Sequence, residues 1–134
     1  MRKDAEWARE RFGQARVARL ATVSGDGSPH LVPMVFAIEG SSRLISAVDH
    51  KPKSTTALRR LDNIAVNPFV SVLVDHYDDD WKQLWWARAD GWARAHDSWD
   101  LSALLGRYEQ YRRTAPAGPV IVIEVDHWCG WSAG

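Results

Sequence analysis

Lys51-Pro52-Lys53-Ser54-Thr55 sets two ammonium groups and two hydroxyls side by side, where an apolar run from Leu44 to Val48 gives way to helical spacing from Thr55 to Leu61. A helix start leaves backbone N–H groups unpaired. With lysine charge and hydroxyl donors added, such a spot suits a phosphate or a similar oxyanion. A solvated loop ahead of a Ser54-capped helix accounts for the same residues without any ligand, and the glycine spacing of a nucleotide-binding P-loop is absent.

Trp81, Trp85 and Trp86 form a second cluster in a chain that holds 8 tryptophans in 134 residues. Indoles this close can hold a planar ring or close a subunit interface. Core packing explains Trp86. It explains Trp81 poorly, because that residue follows Asp78-Asp79-Asp80, where solvent is expected.

Other chemistry finds little support. His30, His50, His76, His96 and His127 stand singly and Cys129 has no second cysteine, so no metal site is expected. The acidic run Asp75, Asp78, Asp79 and Asp80 lacks calcium-loop spacing and reads as a solvated loop. Cys129 and His127 lie on one apolar run, but a dyad from residues this near on a strand is not expected. No residue presents itself as a catalytic acid or base, which favours a protein that takes its reactivity from a bound cofactor.

The elements that would position these groups follow from periodicity. Asp4 to Phe12 reads as a short helix capped by Asp4, with Gly13 as its stop. Arg16 to Val23, His30 to Ile38, Leu44 to Val48, Phe69 to Val74, Trp81 to Ala95 and Val120 to Val125 read as strands. Pro33 marks an edge or a bulge. In the fifth strand Trp85, Ala87, Ala89 and Gly91 make a small face suited to close packing, opposite Leu84, Trp86, Arg88, Asp90 and Trp92. Ser98 to Tyr111, with Leu101, Leu104, Leu105 and Tyr108, predicts the best helix of the chain.

About six strands joined by hairpins and short helices predict a mainly antiparallel sheet, closed as a small barrel in one domain over residues 1–134. A remaining flat apolar patch would be buried by dimerisation. Equal numbers of basic and acidic residues, 17 each, remove the bulk attraction needed for non-specific nucleic-acid binding. No apolar stretch nears the roughly twenty residues of a membrane span, and no export signal is apparent, so a reducing cytoplasm is expected.

Read in order, Pro33-Met34, Lys51-Pro52-Lys53-Ser54, Leu61 to Pro68, and Asp75 to Gly91 resemble the split-barrel flavin-binding family typified by pyridoxamine 5'-phosphate oxidase. The closer likeness is to its actinobacterial branch of coenzyme F420-dependent oxidoreductases. The resemblance covers nearly the whole chain and implies a six-stranded antiparallel split β-barrel of the FMN-binding type, homodimeric, with cofactor sites between subunits. It places the cofactor phosphate at Lys51, Lys53, Ser54 and Thr55, and the tricyclic ring along Val32, Pro33 and Met34 and along Ala47 and Val48. Trp81, Lys82 and Trp85 would come from the partner subunit, with Lys82 or Arg59 as candidates to meet the acidic tail of F420.

The reaction implied is hydride transfer between the deazaflavin and a small organic acceptor. FMN-dependent oxidase or reductase chemistry on the same barrel, and a non-catalytic carrier of F420, flavin or haem, are the competing readings.

Overall fold

The structure is a computed structural model and describes residues 1–48 and 55–134, with only the backbone for 55–58. Its strands are β1 (Arg2–Lys3), β2 (Ala18–Val23), β3 (Pro29–Met34), β4 (Ala37–Glu39), β5 (Arg43–Ala47), β6 (Phe69–His76), β7 (Trp85–His96) and β8 (Val120–Ser132). Four helices, α1 (Ala5–Gln14), α2 (Thr55–Val66), α3 (Ser102–Arg107) and α4 (Glu109–Arg113), stand between them. Every pairing is antiparallel, in the order β3-β2-β6-β7-β8-β5-β4, with β1 added to β8.

The strand count is eight among the described residues, against the six expected. One extra is the two-residue β1. The other arises because the apolar run from His30 to Ile38 breaks at Val35-Phe36 and serves both ends of the sheet, as β3 and then β4.

The sheet wraps a core of Leu20, Val72, Val74, Ala87, Ala89 and Ile123, plugged at one end by α1. Asp4 caps α1, its carboxylate accepting from the Trp7 N–H at 2.9 Å. The Phe12 ring of α1 meets Phe36 and Trp128 edge-on, at centroid separations of 5.7 and 5.2 Å. The small face of β7 packs closely as expected, Ala87 and Ala89 being fully buried, and α1 contacts this strand.

A second, outer core explains why β8 is apolar on both faces. Val120 and Val122 point away from the barrel and pack with Ile45, Leu104 and Tyr111, beneath α3 and α4. The long helix expected over Ser98 to Tyr111 is interrupted at Tyr108, whose backbone is extended (φ −120°, ψ 119°). Its hydroxyl supplies the reason. It accepts from the Phe36 N–H at 3.1 Å and has the carbonyl oxygens of Phe36 (2.8 Å) and Arg16 (3.0 Å) within reach of its single proton. Polar backbone at the sheet break is thereby satisfied, which outweighs continuing a helix already weakened by Gly106.

β8 runs on to Ser132, well past the Val125 expected from its pattern. Register explains the difference. Asp90 pairs with His127 but Gly91 pairs with Val125, so Asp126 is an extra residue and the alternation shifts by one. Val125 and Trp128, three apart, therefore both enter the inner core. Trp81–Gln83 form a 3-10 turn rather than strand, and Asp75 and His76 belong to β6 rather than to the acidic loop.

Gly91 has no room for a side chain, because a Cβ there would sit far inside contact distance of the Glu124 carbonyl. Gly91→Ala is expected to cost about 1 to 3 kcal/mol in urea unfolding, since the opposing atom is backbone and cannot swing away. Gly13, within α1 and with nothing near its Cβ direction, is the control. Gly13→Ala should leave stability unchanged or raise it by up to about 1 kcal/mol.

Candidate functional site

The sheet closes only in part. β3 is a terminal strand, so among the described residues its outer edge has no neighbour in the sheet and its outward backbone groups are unpaired there, Pro33 having a carbonyl but no N–H to offer. β4, at the other end, pairs with β5 only from Arg43 to Ile45. Ser46 and Ala47 thus keep β8 on one side and, among the described residues, have no strand on the other. The Ser46 hydroxyl donates to the Val35 carbonyl at 2.7 Å, tying the two flanks together at the base of the gap. Met34 and Val48 are both buried in the inner core, so the gap opens directly above packed side chains.

Five of the residues expected to bind, Val32, Pro33, Met34, Ala47 and Val48, thus flank one opening, contributing mostly backbone. Val48 is held by its N–H donating to the Pro119 carbonyl at 2.8 Å. Lys51, Lys53 and Ser54, with the Ser54 cap, lie outside the described residues, and Thr55 is described only as the first residue of α2. That helix is anchored by Ile64 in the core and by Asn63, whose side-chain amide donates to the Thr22 hydroxyl at 3.0 Å.

Trp81, Lys82 and Trp85 are not brought to this opening within one chain. β7 lies three strands from β3 and, on the other side, Trp85 pairs with Ser132, at the opposite end of β8 from Val120–Glu124, where β5 pairs. Trp81 is 69% exposed on its turn and Lys82 is exposed beside it. Trp85 is half-buried, meets Trp7 edge-on and stacks on His76, both at 6.1 Å.

Trp86 does not pack in the core as expected. It shares the outward parity of Arg88, faces Trp131 across the β7–β8 ladder, and lines a cleft of about 540 Å³ with Arg2, Lys3, Arg88 and His127. Two indoles with three cations could hold a flat anionic group. Sequence reasoning missed Arg88, Trp131 and this cleft. The parity of Trp86 was the available signal, but β1 and the far end of β8 were not foreseen. Beneath them Asp90 accepts from Ser71 (2.7 Å) and from Arg88 (3.0 Å), which fixes the guanidinium on this outer face.

Arg59 lies in a third hollow, with Ser24, Asp26, Ser28, His30 and Asn63, between the β2–β3 turn and α2. Among the described residues, no group of His, Cys, Asp and Glu is placed to hold a metal ion, and no helix is long and apolar enough to cross a membrane.

The profile of the family described as pyridoxamine 5'-phosphate oxidase matches residues 5–132. The chain belongs to that family. The curated proteins contain no match. Solved structures similar to it include a conserved hypothetical protein from Mycobacterium tuberculosis, with a TM-score of 0.72 at 20% identity over 98% of this chain and 85% of the other. An FAD-binding protein from Mycobacterium smegmatis aligns at 0.66 and 15% identity, over 98% and 96%. A second FAD-binding protein, from Mesorhizobium loti, aligns at 0.67 and 20% identity, over 97% and 95%. At these identities the likeness establishes the fold. Together with the family it makes the gap between β3 and β5 part of a pyridoxamine 5'-phosphate oxidase-like split barrel.

His30 lies under α2, and its imidazole is held below the ordinary value of 6.5, first by burial and then by the charges of Arg59 and Arg60. The folded state therefore binds fewer protons there than the unfolded chain, and the stability present above pH 6.5 declines as pH falls through that lowered value. NMR titration should show His30 protonating below 6.5. His30→Gln should flatten the corresponding limb of the stability–pH curve.

Proposed function

We propose that this family member is a homodimeric coenzyme F420-dependent oxidoreductase, transferring a hydride between the deazaflavin and a small organic acceptor. The observation that carries the reading is the gap itself, where free strand-edge backbone on β3 faces the uncovered end of β5 and the chain then runs through Lys51, Lys53 and Ser54 into α2. Edge N–H and C=O groups complement the alternating donors and acceptors on the pyrimidine end of a flavin-type ring, so the donor set fits such a group. Lys51, Lys53, Ser54 and Thr55 would hold its phosphate, as the sequence resemblance implies, with the N-terminus of α2 adding favourable potential.

When bound, the deazaflavin supplies the hydride chemistry. The chain's own part is to bind and orient. Val32 to Met34 and Ala47 to Val48 form a backbone slot, and the buried Met34 and Val48 beneath it exclude water from the inner side. Trp81, Lys82 and Trp85 of the partner subunit would close the outer side in this reading. Their distance from the gap within one chain and the exposure of Leu31 (67%) on the outer surface of β3 support a second copy. No titratable side chain among the described residues flanks the gap as an evident proton donor, so reactivity is assigned to the cofactor and acceptor positioning to the slot.

A second reading, FMN- or FAD-dependent oxidase or reductase chemistry in the same gap, is favoured by the FAD-binding proteins among the similar structures. Titrating the purified protein separately with F420, FMN and FAD, read by tryptophan fluorescence, separates the two. Saturable quenching by F420 alone is expected, whereas a preference for FMN or FAD moves the protein to the second reading. Lys53→Ala should weaken cofactor binding by about 1 to 3 kcal/mol, roughly 5- to 150-fold in Kd, without changing the unfolding midpoint of the apoprotein. Unchanged affinity would remove the phosphate assignment.

A further inference from the structure

A cleft of about 560 Å³, separate from the gap between β3 and β5, opens on the outer face of β7 and β8 and is lined by Pro68, Trp92, Arg94, His96, Trp99 and Glu124 among others. Most of its polar groups are already committed within the chain. The Trp92 indole N–H donates to Asp126 at 2.6 Å and the Trp99 indole N–H to Glu39 at 3.0 Å. Glu124 accepts from Arg43 at 2.7 Å, and the Arg43 guanidinium sits 5.4 Å from the Trp99 ring centroid. The same guanidinium pairs with Glu39 at 3.4 Å, so Arg43 serves both carboxylates, and both indoles have only their ring surfaces left to offer.

Two polar groups remain for a ligand. Among the described residues Arg94, which is exposed, and His96 make no side-chain hydrogen bond or ion pair, and the His96 ring lies 4.8 Å from the Trp99 ring. Trp92 is 50% exposed, although Phe69 packs against it at 5.1 Å, which steadies a large apolar surface left open to solvent. Fixed ring surfaces beside one unpaired guanidinium complement a flat ring carrying a negative charge.

We propose that this cleft is a second binding site, distinct from the cofactor gap, for a planar aromatic anion such as an aromatic carboxylate. The ring lies on Trp92 beside the Trp99–His96 pair, and the carboxylate meets Arg94. The proposal does not depend on which flavin-type group the gap holds.

The test uses 2-naphthoate as the probe and the indole N–H signals of the 15N-labelled full chain as the readout, with Trp92 and Trp99 assigned from Trp92→Phe and Trp99→Phe. Saturable shifts centred on Trp92 and Trp99 are expected. Arg94→Gln, which leaves an exposed and unbonded side chain's neighbours undisturbed, should weaken binding about tenfold, and neutral 2-naphthol should bind wild type about tenfold more weakly than the anion. Absence of saturation up to about 1 mM, equal affinity in Arg94→Gln, or shifts centred on Trp86 and Trp131 would each overturn the proposal. Repeating the titration on protein saturated with its cofactor separates the two sites. Unaltered naphthoate affinity supports a distinct cleft, and competitive loss assigns the probe to the gap.

Discussion

Two residues, Val35 and Phe36, join strands that stand at opposite ends of the sheet. From Met34 to Ala37 the chain can span only about 10 Å, so the sheet has to curl until its first and last strands nearly meet. The link is pinned from three directions. Phe36 is fully buried beneath the Phe12 ring, its backbone is bonded by the Tyr108 hydroxyl, and the Val35 carbonyl is bonded by Ser46. The barrel interior, the outer helices and the candidate site all follow from that enforced curl. It brings the two flanks together at one point and leaves them parted beyond it.

Tight curvature demands small residues where the helix plug and the sheet approach each other. Ala18, Ala87, Ala89 and Ala93 supply them on the inner face, and at Gly130 even a methyl group would collide with the Trp7 ring. Large aromatics are displaced to the outer surface, where Trp86, Trp92 and Trp131 line clefts on β7 and β8. Trp128 is buried in the barrel interior, and Trp7 and Trp85 pack against that core while staying partly exposed.

A site built on strand edges has a functional consequence. Backbone groups held in a ladder on one side are rigid on the other, so they can orient a flat cofactor without side-chain ordering and without a dedicated acid or base. That matches a sequence whose clustered cations and hydroxyls lie in the Lys-Pro-Lys-Ser-Thr segment.

The features decided by the sequence alone were those with local causes. Asp4 capping α1, the turn at Ser24 to Gly27 and the small face of β7 all depend on neighbours a few residues away, and each reads directly from residue type and spacing, whereas Pro33 read as an edge or a bulge until the sheet order placed it on an edge. The resemblance of Pro33-Met34 and the segment from Asp75 to Gly91 placed the family as well. Tertiary structure decided the rest. That one apolar run serves two sheet edges, that Asp126 bulges and turns Trp128 inward, that Tyr108 leaves its helix to bond Phe36, and that Trp81 and Trp85 stand three strands from Val32 are results of pairing between distant segments. Periodicity cannot register such pairings, because their free energy comes from burial and backbone satisfaction that exist only once the sheet has curled.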